Sequence, residues 1–320
     1  MAGVAGLVLP FFGLIFIGYA VARLKPHPAD ALGWMNTFVI YVALPALFFQ
    51  LLAKPPIERL TEWGYIFGAV ASTYIVFAIM FAGSRLISGS SIAESTIKGL
   101  AASYGNIGYM GPGLALLALG EDAAVPVALI FCFENIVHFA VAPMMMAISG
   151  GDKQEPGRLF LDVLSKIALH PFIVATAAGV IAAALHFTPP LPVERLLAYL
   201  ASAAAPCALF AMGVSLALRP LRRVPHEVGA IVGLKLVLHP AICYVMLSWI
   251  GNFSESWVFS AVLLASLPTA TNVFVISQQY GVWMERASAS VLITTLVSVA
   301  TVTALLYAIT NGILPPDLFP

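Results

Sequence analysis

The sequence predicts an all-α polytopic membrane protein with ten transmembrane helices, and three observations carry that expectation. Of 320 residues, 61% are hydrophobic and 9% are charged. A soluble domain carries about 25% charged residues, so this chain has too few charges for a wetted exterior and lipid must be the solvent for most of its surface. Apolar stretches of about 20 residues, long enough to cross a hydrocarbon core, recur ten times. Lys and Arg fall mostly in alternate connections, as the positive-inside rule requires of a threaded chain.

The first stretch, 4–23, holds Pro10, Gly13 and Gly18, and its first basic residue, Arg23, follows the apolar run. A cleavable signal places positive charge first, so this segment reads as a retained span. The next four are 31–53, 63–87, 95–120 and 122–147. The longest polar connection follows, with 151–166 read as a cytoplasmic linker. The second set is 167–187, 192–218, 226–250, 255–281 and 285–311. The chain therefore divides into 1–150, the linker, and 167–320, with five spans in each half.

Orientation follows from the basic residues. With the N-terminus outside, the cytoplasmic ends hold Arg23, Lys25, Arg85, Lys98, Lys153, Arg158, Lys166, Arg219, Arg222, Arg223 and Arg286. The outer loops hold only Lys54, Arg59 and Arg195, and Lys235 alone sits deep within a span. Both termini are expected outside the cytoplasmic membrane. An odd number of spans per half makes the second half start on the opposite side from the first. If the halves are related, they form an inverted repeat.

The strings support such a relation. Span 2 carries Pro45-Ala46-Leu47-Phe48 and span 7 carries Pro206-Cys207-Ala208-Leu209, with Phe49 and Phe210 following. Spans 4 and 9 are the most interrupted, with SYGNIGYMGPG at 103–113 and ASLPTATNVF at 265–274. Two readings apply. One is a proline kink whose freed backbone groups are satisfied by Ser and Thr. The other is a pair of broken helices near mid-membrane, whose half-helix N-termini suit an anion such as a carboxylate. On the second reading, Asn106, Gly111, Pro112, Pro268, Thr269, Thr271 and Asn272 become substrate-binding candidates.

At these residues the chain resembles the auxin efflux carrier family, which includes plant PIN-type carriers and bacterial malonate-type permeases. The string 266–281 matches Leu-Pro-x-x-x-x-x-Phe-Val-x-x-x-x-Tyr, and 106–111 matches Asn-x-x-x-Met-Gly. APCALFAMG at 205–213 and LKLVLHP at 234–240 also look like bacterial members. The resemblance covers essentially the whole chain. It implies a fold similar to bile-acid/sodium symporters and NhaA-like sodium/proton antiporters. Spans 1, 2, 6 and 7 would form a scaffold, and spans 3, 4, 5, 8, 9 and 10 a transport unit in which broken helices 4 and 9 cross. It implies a small carboxylate substrate such as malonate or an auxin-like acid, moved by alternating access across a bacterial inner membrane, and a homodimer through the scaffold helices. Two departures stand out. Pro112 comes one residue earlier than in the family's Met-Gly-x-Pro, and His170-Pro171 stands where relatives often have Asn-Pro. The relatives' Asn lies by the substrate, so His170 joins the substrate-binding candidates.

Ionisable residues inside spans are expensive, so a paired or functional role is the default. Lys235 lies about nine residues into span 8, roughly 13 Å along a helix, and Glu134 is similarly deep in span 5. They are read either as a structural charge pair or as a pair in which one member exchanges a proton. His138 and His239 follow them by four residues, on the same helix faces. Each His is either hydrogen-bonded to a neighbour or part of a proton relay. Cys132, Cys207 and Cys243 lie in apolar runs and read as small hydrophobes, so no metal site is expected.

Net charge is zero, which argues against a nucleic-acid partner; membrane lipid and a small carboxylate are the expected ones. No metalloprotease, Walker A or nucleophile-elbow string occurs, so neither an enzyme nor a nucleotide-driven pump is expected. No cofactor is implied beyond coupling to a proton or sodium gradient. The alternative to a carrier is a membrane anion-binding sensor or regulatory subunit without transport, and flux discriminates between them.

Overall fold

The computed structural model describes residues 2–25, 28, 31–53, 60–150, 156–218, 224 and 226–319. Of the basic residues used for orientation, Lys54, Arg59, Lys153, Arg219, Arg222 and Arg223 lie outside the described residues, as do positions 151–155 of the expected linker. The regular structure of these residues is helical, and the only β-type pairing among them is an isolated antiparallel bridge between Gly105 and Thr269. Among the described residues, seven helices are long and apolar enough to cross a membrane, as expected of a polytopic membrane protein.

Two compact units emerge from the packing. The first comprises residues 1–63, 108–132 and 168–220; the second comprises 64–107, 133–167 and 221–320. The division thus passes through the expected spans 4 and 5, placing residues 108–132 with the first unit.

In the first unit, α1 (Ala2–Leu24) packs along α10 (Leu191–Leu218). The backbones touch. A Cβ at Gly213 would stand 2.0 Å from the Ile15 carbonyl oxygen, and one at Gly18 would stand 2.2 Å from that of Phe210. Small residues serve this purpose where lipid supplies no hydrophobic drive between helices. α2 (Ala31–Phe38) continues through a π turn, Val39–Ala43, into α3 (Leu44–Leu52). Pro45 sits at the start of α3. It has no N–H and its ring crowds the carbonyl four residues back, which the wider π turn relieves. Pro112 opens α6 (Gly111–Leu119), and Pro171 opens α9 (Pro171–Ala184), positions where a missing N–H costs nothing. Phe131 stacks on Phe48 at 4.2 Å and meets Phe172 edge-on at 4.6 Å.

In the second unit, α4 (Trp63–Leu86) leads to α5 (Ile92–Ser103), whose Ser91 cap accepts a hydrogen bond from the Glu94 N–H at 3.1 Å. This is the N-cap half of the capping-box pattern Ser91-x-x-Glu94, while the Glu94 carboxylate turns to Lys98 at 2.8 Å. Most of α7 (Ala124–Ile148) belongs here. The connection after it is not wholly irregular, because Pro156–Ala168 forms α8. Its apolar and polar residues recur at helical spacing, a period that the abundance of charge conceals. A second π turn, Leu234–Leu238, joins α11 (Val228–Gly233) to α12 (His239–Ile250), again just ahead of a proline, Pro240. α13 (Glu255–Ser266), α14 (Thr271–Tyr280) and α15 (Met284–Thr310) complete it. Val76, Ile97, Leu100, Ala101, Tyr104, Val273 and Ala287 form its core.

Candidate functional site

Two helices of the expected membrane region stop short. α5 ends at Ser103 because Tyr104 turns extended, with φ −72° and ψ 100°, and helix resumes only at Gly111. α13 ends at Ser266 because Leu267 is extended, φ −65° and ψ 151°, as the residue before a proline prefers; helix resumes at Thr271. In the second unit the extended pieces pair with each other. The Asn106 N–H donates to the Pro268 carbonyl at 2.8 Å, and the Ala270 N–H donates to the Tyr104 carbonyl at 2.9 Å. Each break therefore supplies what the other lacks, which a nonhelical backbone at membrane depth requires.

The side chains divide by role. Thr269 is fully buried, and its hydroxyl donates to the Ala101 carbonyl at 2.6 Å, while its N–H donates to the Thr294 hydroxyl at 3.2 Å. It thereby satisfies one of the orphan carbonyls at the end of α5. Asn106 is buried at 4% exposure. Asn272 is exposed, in the first turn of α14, and its amide nitrogen donates to the Tyr104 hydroxyl at 3.0 Å. That hydroxyl in turn donates to Asn135 Oδ1 at 2.7 Å. Thr271, buried, is the first residue of α14, whose leading N–H groups lack intrahelical acceptors. Asn106, Pro268, Thr269, Thr271 and Asn272 are thus brought together in one unit. Gly111, Pro112 and His170 belong to the other. There, His170 caps the start of α9, half-buried, its ring 4.1 Å from that of Phe172.

The buried charges form a chain. Glu134 and Lys235 make no direct ion pair within 4.0 Å, and two side chains stand between them. The Thr73 hydroxyl lies 2.6 Å from Glu134 Oε1 and 3.0 Å from His239 Nε2. Lys235 Nζ lies 3.0 Å from His239 Nδ1 and donates to the Ala265 carbonyl at 2.6 Å. Glu134 is 5% exposed, and Thr73, Lys235 and His239 at most 2%. His138 stands beside the chain rather than in it. Its Nδ1–H donates to the Glu134 carbonyl at 2.6 Å, its ring lies 3.8 Å from that of Tyr104, and its Nε2 has no partner among the described residues.

Thr73, Tyr104 and Asn135 are residues that the sequence reading passed over. A faint signal existed for the first, since Ser72-Thr73-Tyr74 is a polar triplet in the middle of an apolar span. Tyr104 stands inside the interrupted string 103–113, and Asn135 is an amide beside Glu134 in an apolar span, but neither neighbourhood shows what the side chain meets.

Comparison with known proteins follows the same direction. The sequence pattern of the family described as "Membrane transport protein" matches residues 4–306. A Rhizobium meliloti (strain 1021) protein described as "Putative malonate transporter" is 64% identical over 320 residues, all of both chains. An "Uncharacterized transporter" of Methanothermobacter thermautotrophicus is 24% identical over 301 residues, covering 91% of this chain and 93% of the relative. The Escherichia coli (strain K12) "Uncharacterized transporter YfdV" is 23% identical over 313 residues, covering 94% and 96%. With interrupted helices, buried polar chains and a match along nearly its full length, the chain belongs to this family of membrane transport proteins, the auxin efflux carriers.

Proposed function

We propose that the protein is a secondary carrier that moves a small carboxylate across the cytoplasmic membrane by alternating access. The observation that carries this reading is the pairing of the breaks at 104–106 and 268–270, with the exposed amide of Asn272 at the start of α14. A helix start offers N–H groups and a partial positive charge to an anion. A neutral amide adds a donor without the full charge that would hold an anion too tightly for release. The full-length likeness to a protein described as a malonate transporter makes malonate the first acid to test.

The same reading counts ten spans. To the seven long helices it adds α9 and the interrupted pairs α5/α6 and α13/α14, arranged as two inverted five-span repeats with both termini outside. Purified protein in liposomes is expected to take up labelled malonate, or another acid of a mono- and dicarboxylate panel, saturably and in competition with the unlabelled acid. Ligand-induced thermal stabilisation without flux would instead identify an anion sensor.

A further inference from the structure

The hydroxyl of Thr73 has one proton, and it has two short contacts to serve. The carboxylate of Glu134, at 2.6 Å, can only accept, whereas the Ala69 carbonyl is farther away, at 3.3 Å. The proton therefore goes to Glu134, and the contact to His239 must be Nε2–H donating to the Thr73 oxygen. With its proton on Nε2, neutral His239 has a bare Nδ1, which accepts from Lys235 Nζ. Every hydrogen bond then points one way, from ammonium through imidazole and hydroxyl to carboxylate. The chain also works in reverse. If each proton moves one bond, Lys235 becomes an amine, His239 carries its proton on Nδ1, Thr73 donates to His239 Nε2, and Glu134 becomes a carboxylic acid donating to Thr73. Each step breaks one N–H or O–H bond and forms the next, so charge and atoms balance and no side chain has to move.

One end of this chain reaches the breaks. Lys235 Nζ caps the Ala265 carbonyl at the end of α13, where the helix dipole is negative. A Cβ at Gly105 would stand 3.3 Å from the same nitrogen. The other groups near the chain are Tyr65 and Tyr74 on α4, His138 on α7, and Cys243 on α12. Tyrosine and cysteine are ordinarily neutral near pH 7, so the charges available are those of Glu134, Lys235 and the imidazoles.

We propose that Glu134, Thr73, His239 and Lys235 form a proton-coupling site that loads one proton with each carboxylate carried. This rests on the carrier reading above. An anion at the breaks favours the form with ammonium at Lys235, because that charge lies against the break. A proton taken up from outside the chain onto Glu134 leaves that ammonium in place and removes the opposing carboxylate charge. Anion and proton thus each favour the other's binding, as linkage requires. A bare metal cation would need a cage of several oxygen ligands, whereas this chain alternates nitrogen and oxygen, with a tethered ammonium at the cationic end.

The test uses the intact protein in liposomes with a pH dye inside and labelled malonate outside. The wild type is expected to acidify the lumen as malonate enters, and to accumulate malonate when an inward proton gradient is imposed. Thr73→Val removes the central hydroxyl at matched shape and is expected to cut gradient-driven accumulation by roughly ten- to a hundredfold, the worth of a hydrogen bond to an ion. Thr73→Ser is expected to restore it. In detergent, infrared titration should show a carboxylic-acid band that is lost in Glu134→Gln and displaced in Thr73→Val. Malonate entry without proton entry, or entry driven by sodium instead, would overturn the coupling site and leave the carrier reading standing. Absence of flux for every acid of the panel would overturn both. An infrared band indifferent to Thr73 would show that the four groups do not act as one chain.

Discussion

Asn272 and Tyr104 lie 168 positions apart, yet the amide of one donates to the hydroxyl of the other at 3.0 Å. The bond ties the first turn of α14 to the break that follows α5, and it fixes the direction of an exposed amide. It also separates the two asparagines that the sequence treats alike. Asn272 is exposed and Asn106 is buried. Asn272→Ala is therefore expected to weaken malonate binding by roughly ten- to a hundredfold with little change in melting temperature. Asn106→Ala is expected to cost stability as well, by about 1–3 kcal/mol, since a buried amide side chain is lost. Calorimetric binding and thermal melts on both variants check this; equal melting losses would remove the distinction.

Tyr104→Phe removes a hydroxyl that serves both Asn272 and Asn135. The ring and its contact with His138 remain. Malonate affinity is expected to fall about as far as in Asn272→Ala, and the double variant should show far less than the sum, because one change releases the amide that the other removes. Additive losses would mean that Tyr104 does not act through Asn272.

Glu134→Gln and Lys235→Met each strip one end from the buried chain, and each is expected to lower the melting temperature. Because Thr73 and His239 stand between the ends, the double variant should recover only part of the loss, with a coupling energy of about 0.5–3 kcal/mol. A full thermal double-mutant cycle measures it. Strict additivity would show that the ends do not communicate.

Gly213→Ala places a methyl group where only 2.0 Å separates its position from the Ile15 carbonyl oxygen. The helices α1 and α10 must move apart, at an expected cost of about 1–3 kcal/mol. Gly13→Ala, in the same α1, meets nothing within 4 Å and should be neutral or slightly stabilising. Melting curves of the two variants provide the comparison, and a Gly213→Ala protein as stable as the wild type would contradict the close approach.

Lys98, 1% exposed, is held by Glu227 at 2.7 Å and Glu94 at 2.8 Å. Burial alone would raise the Glu227 carboxyl, but the hydrogen bond and charge of Lys98 outweigh it and hold that group below its usual range. A carboxyl lowered in the folded state adds stability that is complete above its unfolded value, about 4.3, and disappears as pH falls through the folded value. The wild type should therefore melt higher than Glu227→Gln at pH 7, and the gap should start to narrow as pH falls below about 4.3 and close once pH is below the lowered folded value. A gap unchanged in acid would show that the ion pair is not its source.

Orientation is open to labelling. In a background lacking Cys132, Cys207 and Cys243, a cysteine replacing Leu318 is expected to react with an impermeant reagent from outside, and one replacing Gln154 only from the cytoplasmic side. The reverse pattern would overturn the reading of the basic residues.

Local physics wrote much of this protein into its sequence. Lipid as solvent follows from charge scarcity, and the membrane helices follow from runs of apolar residues. The stops at Ser103 and Ser266 were legible because glycine, proline and asparagine act on their own backbone, whatever surrounds them. The family was legible for the same reason, through strings of neighbouring residues. Tertiary structure decided what distance along the chain conceals. It left Glu134 and Lys235 apart and placed Thr73 and His239 between them, although Thr73 lies 61 positions from Glu134 and 166 from His239. It gave Thr269 to the Ala101 carbonyl, turned Asn272 outward and Asn106 inward, and widened two helices into π turns before Pro45 and Pro240. A hydroxyl or an amide carries no mark of its partner in its own neighbourhood, because hydrogen bonding depends on approach within about 3 Å and on direction, and only the packed helices set those.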